Sequence, residues 1–242
     1  MSRLSYRLLL LVLSGFLAAC ATGPGPVETG TRHTSKSFST VVVDAGHGGK
    51  DNGAYRKFGG AEKIATLDVA KRLSRKLRES DLKIVMTRST DVFIPLEQRV
   101  AIENEQKNSI FVSIHFNDSR RRGIHGFETY YHSANSSDLA YRIQSKLMTI
   151  PHSANRGVHT ANFRVLRLAR YPAVLVECGF LSNRLEGGEA RDSDYREALA
   201  DRIAEAIVEH RYGPGVYRAS RSAAAPPPSE GPGLAPSSLK RD

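Results

Sequence analysis

Four side chains of this 242-residue sequence could bind a metal ion or carry a proton, and each lies beside a segment with regular apolar patterning. His47 stands in a glycine-rich loop after a β-branched run, and His115 and Glu177 close two further apolar runs. Glu62 starts an amphipathic segment fifteen residues after His47. Two imidazoles and two carboxylates suit a hydrolytic zinc site, in which three protein ligands leave one position open for water beside a general base. These residue types predict such a site.

Each of the four residues also has a purely structural explanation when it is considered alone. His47 would be a hydrogen-bonded loop residue, His115 a buried core histidine, and Glu62 a favourable partner of a helix dipole. Glu177 is harder to explain, because an ionised carboxylate at the end of the apolar run AVLVE is costly unless it is paired or lies near a metal ion. The sequence has two cysteines and no cysteine-rich cluster, which argues against a structural zinc site.

Strand-like and helix-like segments alternate between residues 38 and 212. Apolar, β-branched runs predict strands over 39–44, 82–86, 109–115, 127–131, 163–168 and 173–176. Apolar residues at helical spacing predict helices over 62–79, 95–106, 137–148 and 194–211. This alternation is typical of an α/β fold, here a single three-layer domain with a mostly parallel, twisted sheet flanked by helices. The carboxyl ends of parallel strands meet at one edge of a sheet, so we expect the four candidate residues to converge there.

Longer motifs contain these residues: VVVDAGHGGKDNGA, GGAEKIATLDVAKRL, SIHFND, GFETYYH, NRGVHTANFRVLR and PAVLVECGFLSN. With these motifs in this order, the sequence resembles the zinc-dependent N-acetylmuramoyl-L-alanine amidases of bacterial cell-wall remodelling over essentially the whole of the alternating segment. No separate wall-binding module is recognisable beside this catalytic domain. The resemblance implies that His47, Glu62 and His115 are the ligands of one Zn²⁺ ion and that Glu177 is the catalytic glutamate.

The resemblance further implies hydrolysis of the amide bond between N-acetylmuramic acid and L-alanine in peptidoglycan, with Glu177 as general base and then general acid. Two alternatives stay open: a zinc peptidase that cuts within the stem peptide, and a lipid-anchored cell-wall binding protein without catalysis. The presence of all four site residues argues against the second alternative. Ala45 and Asn52 stand where the family usually has prolines, which should change the rigidity of their loop and not the chemistry.

The interval from Asn117 to His125 is only nine residues long, whereas division-linked members of the family carry an inhibitory helix at this place. A helix of this length is marginal in water, where about 12–15 residues are needed. We therefore expect activity without an activating partner. The basic run 120–122 within the interval is either a solvated loop or a contact for the carboxylates of stem peptides.

The first residues resemble the signal of a bacterial lipoprotein. Arg3 and Arg7 precede a short apolar run that ends on Leu-Ala-Ala-Cys20, which is similar to a lipobox, and Ala21 follows the cysteine. We therefore expect an acylated Cys20 that anchors an exported protein at the outer membrane, facing the periplasm, if the source is Gram-negative. The expected segments are a signal peptide at 1–19, a flexible tether at 20–37, the catalytic domain at 38–212 and a disordered Pro/Ser/Ala-rich tail at 213–242.

The formal net charge of +10 favours anionic partners, such as lipid head groups or a polymer that bears carboxylates. The export signal argues against nucleic acid and leaves peptidoglycan or soluble muropeptides, with the membrane reached through acylated Cys20. If Cys20 is acylated, Cys178 is the one remaining thiol, so we expect it to be buried and not disulfide-bonded. The protein is expected to be a monomer.

Overall fold

The computed structural model describes residues 36–121, 123–152 and 154–217. Its strands are β1 (Thr40–Ala45), β2 (Tyr55–Arg56), β3 (Gly60–Ala61), β4 (Lys83–Met86), β5 (Ser109–Asn117), β6 (Phe127–Tyr131), β7 (Asn155–Thr160) and β8 (Ala173–Phe180). Its α-helices are α1 (Glu62–Arg78), α2 (Leu96–Asn104), α3 (Ser137–Leu147), α4 (Arg164–Arg167), α5 (Arg184–Glu189) and α6 (Ser193–Tyr212). None of the described helices has the length and apolar character needed to cross a membrane. The predicted signal peptide, Cys20 and nearly all of the predicted tether lie outside the described residues, as does the tail from residue 218 onward.

Six strands form one sheet in the order β4-β1-β5-β8-β6-β7, and β2 and β3 form a separate two-stranded ribbon. Four of the five neighbouring pairs in the large sheet run parallel, and β6 and β8 run antiparallel. The central strands β1, β5 and β8 are almost wholly buried, which explains why their sequences are near-continuous apolar runs. The prediction of a mostly parallel sheet is confirmed.

Helices cover both faces of this sheet and give three layers. On one face, α1, α3 and α6 contribute to the larger apolar cluster together with Ile110, Val112 and Ile114 of β5. On the other face, residues of α2 and α4 pack with Phe111 in a smaller cluster. Because side chains alternate along a strand, His115 lies on the same face as Phe111 and belongs to the side of the smaller helical layer.

The predicted strand over 163–168 is wrong. This segment contains the short helix α4, in which the amides of Arg167 and Leu168 donate to the carbonyl oxygens of Phe163 and Arg164. The place beside β6 is taken instead by β7, whose sequence Asn-Arg-Gly-Val-His-Thr carries too few apolar residues to indicate a strand. An edge strand is open to solvent, so its sequence needs no apolar run. The ribbon of β2 and β3 and the short helix α5 are further elements that the sequence did not predict.

Two of the site residues lie deeper in their strands than predicted. Strand β5 continues beyond His115 to Asn117, and β8 continues beyond Glu177 to Phe180. His115 and Glu177 are direct neighbours in the β5–β8 register, which shifts only after His115. Strand register, and not the ends of the strands, therefore brings these two side chains together. Cys178 is buried in the apolar core, as expected.

The carboxylate of Asp44, at the carboxyl end of β1, is buried with three partners. It accepts hydrogen bonds from Thr87 Oγ1 and Ser113 Oγ, both at 2.6 Å, and pairs with Arg99 Nη1 at 2.7 Å. Burial alone would raise the pKa of Asp44, but the Arg99 guanidinium and the two hydroxyl donors outweigh it and hold the pKa below its ordinary value. Arg99 also donates to the carbonyl oxygen of His47 at 2.6 Å, so this ion pair ties the loop after β1 to α2.

We expect Asp44→Ala to lower the free energy of unfolding by about 3–5 kcal/mol, because removing one partner of a buried ion pair leaves Arg99 uncompensated. Glu97→Ala, which removes the exposed partner of Arg164, should change it by less than about 1 kcal/mol. Urea unfolding near neutral pH measures both variants. The pKa of Asp44 is lower in the folded than in the unfolded protein. The contribution of this carboxylate to stability is therefore fully present above the unfolded pKa and is lost as the pH falls through the folded pKa. Equal effects of the two substitutions would contradict the structural importance of the ion pair.

Candidate metal centre

His47 is held in an uncommon backbone conformation in the loop after β1. Its φ is 60°, in the left-handed region that residues other than glycine rarely adopt. Arg99 Nη2 holds its carbonyl oxygen, and Asp51 Oδ2 lies 2.9 Å from its Nδ1. Gly46 is required directly before it, because a Cβ at this position would overlap the imidazole ring of His115. These contacts fix the loop and direct Nε2 of His47 toward the first residue of α1.

Three donor atoms meet at this edge of the sheet. Glu62 Oε1 lies 3.0 Å from His47 Nε2 and 3.0 Å from His115 Nδ1. All three atoms lie within 4.8 Å of one another. The ligands of a tetrahedral ion with bonds of about 2.0–2.1 Å are about 3.3 Å apart, so the donor set fits a metal ion after a small adjustment. The structure thus gathers one residue from the loop after β1, one from α1 and one from β5.

Neighbouring groups orient these donors. Asp51 on Nδ1 of His47 leaves Nε2 of the same ring for a metal ion. Glu62 accepts backbone amide hydrogen bonds from Ala54 at 2.9 Å and from Phe116 at 3.0 Å. Such outer contacts fix the tautomer and the orientation of ligands in metal sites. Asp51 was not among the predicted site residues; an acidic residue four positions after His47 in the same glycine-rich loop is the signal that points to it.

The donor cluster is electrostatically coupled. Burial alone would raise the pKa of Glu62, but hydrogen bonds with His115 and His47 outweigh it and hold this pKa well below its ordinary range. Burial likewise disfavours a charged imidazole, yet the Glu62 carboxylate raises the pKa of His115 to about 9. The cluster therefore attracts positive charge, and a divalent cation that binds there should displace protons.

Glu177 lies beside His115 and differs from Glu62 in its surroundings. Its Oε2 is buried and has no hydrogen-bond partner among the described residues. Burial raises the pKa of this carboxyl to about 7, an effect that His115 opposes and that Glu62 and Glu128 increase. Buried polar atoms are normally hydrogen-bonded, and a catalytic role is one of the explanations for an exception. A carboxyl with a pKa near neutrality, next to three potential metal ligands, is suited to accept and return a proton.

His115 and Glu177 are adjacent on neighbouring strands, and a second buried carboxylate extends this row of side chains across the sheet. Glu128 of β6 is paired with Glu177 in the antiparallel β6–β8 ladder. Its oxygens accept hydrogen bonds from Asn117 Nδ2 at 2.6 Å, Tyr130 Oη at 3.0 Å and Arg156 Nε at 2.8 Å. Glu128 is thus well partnered where Glu177 is not. The sequence did not predict it, although an acidic residue inside an apolar strand is the same signal that indicated Glu177.

A cavity of about 480 Å³ adjoins His47 and His115 on the side of the smaller helical layer. Its lining includes Phe93, Leu96 and Phe163, large apolar side chains that remain partly exposed. Concave sites with mostly apolar walls and a few convergent polar groups are typical of ligand-binding pockets. The cavity therefore offers space for groups that flank a reacting bond at the donor cluster.

Residues 41–209 match the family model of the N-acetylmuramoyl-L-alanine amidases. The chain is 37% identical over 175 residues to the N-acetylmuramoyl-L-alanine amidase LytC of Bacillus subtilis, a match that covers 71% of this chain and 35% of LytC. The chain thus spans about a third of the length of this relative.

Solved structures show the same α/β fold. The catalytic domain of the N-acetylmuramoyl-L-alanine amidase CwlV from Bacillus (Paenibacillus) polymyxa is 38% identical with a TM-score of 0.68, over 72% of this chain and 98% of that domain. The CwlD amidase of Clostridioides difficile, solved in complex with the GerS lipoprotein, is 30% identical with a TM-score of 0.68, over 71% of this chain and 98% of that chain.

We expect the wild-type protein to retain about one equivalent of added zinc per chain after dialysis, and His115→Ala to lose most of it, since a site with three protein ligands tolerates the loss of one poorly. The matched control is His125→Ala, because His125 is exposed and its Nδ1 contacts the carbonyl oxygen of Gly123 outside the cluster. Elemental analysis gives the metal content. A full equivalent in His115→Ala would remove this residue from the ligand set.

Proposed function

This chain belongs to the N-acetylmuramoyl-L-alanine amidase family of cell-wall hydrolases, and we propose that it uses zinc to hydrolyse the amide bond between N-acetylmuramic acid and L-alanine in peptidoglycan. The observation that carries this proposal is the position of Glu177 beside the cluster of His47, Glu62 and His115. Its buried Oε2, which lacks a partner in the described part of the chain, is available for proton transfer. One row of side chains thus combines a ligand set with a proton carrier.

The donor chemistry supports zinc as the metal. Two imidazole nitrogens and one carboxylate oxygen are a common ligand set of catalytic zinc, and within the described residues the three form one such cluster, so we propose one ion per chain. When bound, the ion supplies Lewis acidity, which polarises the amide carbonyl and acidifies water to a pKa of about 7. The chain itself holds the ligands in place, with Asp51 orienting His47 and the amide of Phe116 orienting Glu62.

Glu177 is assigned the proton transfers. Its carboxylate takes a proton from the attacking water and then delivers it to the nitrogen of the departing L-alanine. Burial raises the pKa of this carboxyl above its ordinary value, which favours its transient protonation. Glu128 is held by Asn117, Tyr130 and Arg156, so it stays an anchor and does not compete for this role.

The cavity beside His47 and His115 supports a substrate with apolar groups next to the scissile amide. The lactyl and alanyl methyl groups that flank this amide suit such walls. A strongly positive chain also favours a polymer that bears carboxylates, as peptidoglycan and soluble muropeptides do.

We further propose that the protein is exported, acylated at Cys20 and anchored at the outer membrane, facing the periplasm of a Gram-negative cell. The support is the basic, apolar and lipobox-like order of the first residues, together with Ala21 after the cysteine. Metabolic labelling with a fatty acid tests the anchor, because Cys20→Ala should stay unlabelled.

The purified protein alone should release stem peptides from purified peptidoglycan, with products whose masses show cleavage between the lactyl group and L-alanine. Activity without a partner is expected because none of the described residues between β5 and β6 is helical, so the inhibitory helix of division-linked members has no counterpart among them. Fragments cut inside the stem peptide would favour a zinc peptidase. A zinc-loaded protein that stays inert until a partner is added would contradict the expectation of an open site.

Glu177→Gln should keep the fold and the bound zinc and lose roughly 10²- to 10⁴-fold in turnover, because the amide is nearly isosteric but cannot carry the proton. Glu105→Gln makes the same chemical change at an exposed position and should leave turnover unchanged. Peptide release from peptidoglycan and zinc content are measured in parallel. Turnover of Glu177→Gln within a few-fold of wild type would assign the proton transfer to another group.

A further inference from the structure

Arg156, on the edge strand β7, is held in place beside the row formed by His115, Glu177 and Glu128. Its Nε lies 2.8 Å from Oε1 of the buried Glu128. Its guanidinium carbon lies 5.2 Å from the centre of the Phe180 ring, which is within the range of a cation–π contact. The other oxygen of Glu128 is taken by Asn117 and Tyr130, so the carboxylate cannot turn away from Arg156. A long side chain that is normally mobile is therefore pre-ordered here.

The free end of this guanidinium is available to a ligand. The side chain of Arg156 is 36% exposed, and its one ion-pair partner among the described residues is reached through Nε. A guanidinium has five N–H donors, so the two Nη groups can still form a bidentate pair with a carboxylate. Arg56, by contrast, already uses both Nε and Nη2 on Asp118. The exposed Arg121, from the basic run 120–122, has no comparable ion-pair anchor among the described residues.

The position of Arg156 fits the chemistry of the proposed substrate. Glu177 and Glu128 are opposite each other in the antiparallel ladder, where the Cα atoms of such pairs are about 4.5–5.5 Å apart. Arg156 contacts Glu128 from β7, which lies on the other side of β6 from Glu177. The second residue of the stem peptide is a glutamate linked through its side chain, so its α-carboxylate is free. In an extended peptide this carboxylate lies about 6 Å from the scissile nitrogen.

We propose that Arg156, held by Glu128 and Phe180, binds the free α-carboxylate of the second stem-peptide residue and makes that carboxylate a determinant of substrate choice. The inference rests on the proposed amidase function, since it places the scissile nitrogen at Glu177. Arg156 acts on binding and orientation of the leaving peptide, and no proton passes through it.

The test compares ligands that differ only at this carboxyl group. Peptidoglycan in which the α-carboxyl is free or amidated is digested by the full-length, zinc-loaded protein, and binding of L-Ala-D-Glu and of its α-amide is measured by calorimetry. We expect the wild type to prefer the free acid by roughly 10- to 100-fold in both measurements, the range for a hydrogen-bonded charged pair. Arg156→Gln should lose this preference, so that the ratio of its activities on the free-acid and the amidated polymer falls toward one.

The matched control is Arg142→Gln. Arg142 has a similar exposure of 34% and also contacts a carboxylate, that of Asp138, through Nε, but it lies on α3. It should retain the preference for the free acid. Arg156→Lys keeps the charge but cannot bind a carboxylate through two parallel N–H donors, so it should show an intermediate preference for the free acid.

Two results would overturn the assignment: equal or undetectable binding of both dipeptides by the wild type, or a preference that survives in Arg156→Gln. If Arg156→Gln lost activity equally on both polymers, Arg156 would be only a structural partner of Glu128, and the proposal would also be rejected. A wild type that binds the free acid selectively but releases no peptide from either polymer would leave the carboxylate site standing and reject the proposed function.

Discussion

The buried guanidinium of Arg99 is the contact on which the geometry of the site depends. It neutralises Asp44 inside the fold and at the same time binds the carbonyl oxygen of His47. A second buried arginine, Arg88, donates to the carbonyl oxygens of Ala45 at 2.9 Å and Gly46 at 2.7 Å. Three consecutive carbonyl groups are thereby turned inward, where each has a charged donor. The imidazole of His47 lies against Glu62 and His115, with its Nε2 3.0 Å from Oε1 of Glu62.

Glu62 and Glu177 carry the same functional group, and their surroundings give them different chemistry. Two backbone amides and two imidazoles surround Glu62, so its carboxylate stays ionised and suits a metal ligand. The described surroundings of Glu177 Oε2 offer it no donor, and burial raises its pKa to about 7. In many active sites two carboxyl groups have different pKa values because their environments differ, and each then takes a different role in catalysis.

The buried site and the chain as a whole carry charge of opposite sign. The chain has a formal net charge of +10, yet the row across the sheet edge is built from the carboxylates of Glu62, Glu177 and Glu128. Buried carboxylates favour a divalent cation, whereas the positive net charge of the chain favours an anionic polymer. Arg156 pairs with the buried carboxylate of Glu128 and is itself partly exposed to solvent.

The sequence by itself indicated the candidate site residues and most of the scaffold. Apolar periodicity is a local property, so β1, β5, β8 and the long helices could be predicted, and the residue types of His47, Glu62, His115 and Glu177 were visible without a fold. Tertiary structure decided everything that depends on which strands become neighbours. The segment 163–168 had a strand-like pattern but contains the helix α4, and β7 occupies the place beside β6. Pairing of Glu177 with both His115 and Glu128, and the anchoring of Arg156, arise from register between segments distant in the chain, which no local pattern encodes.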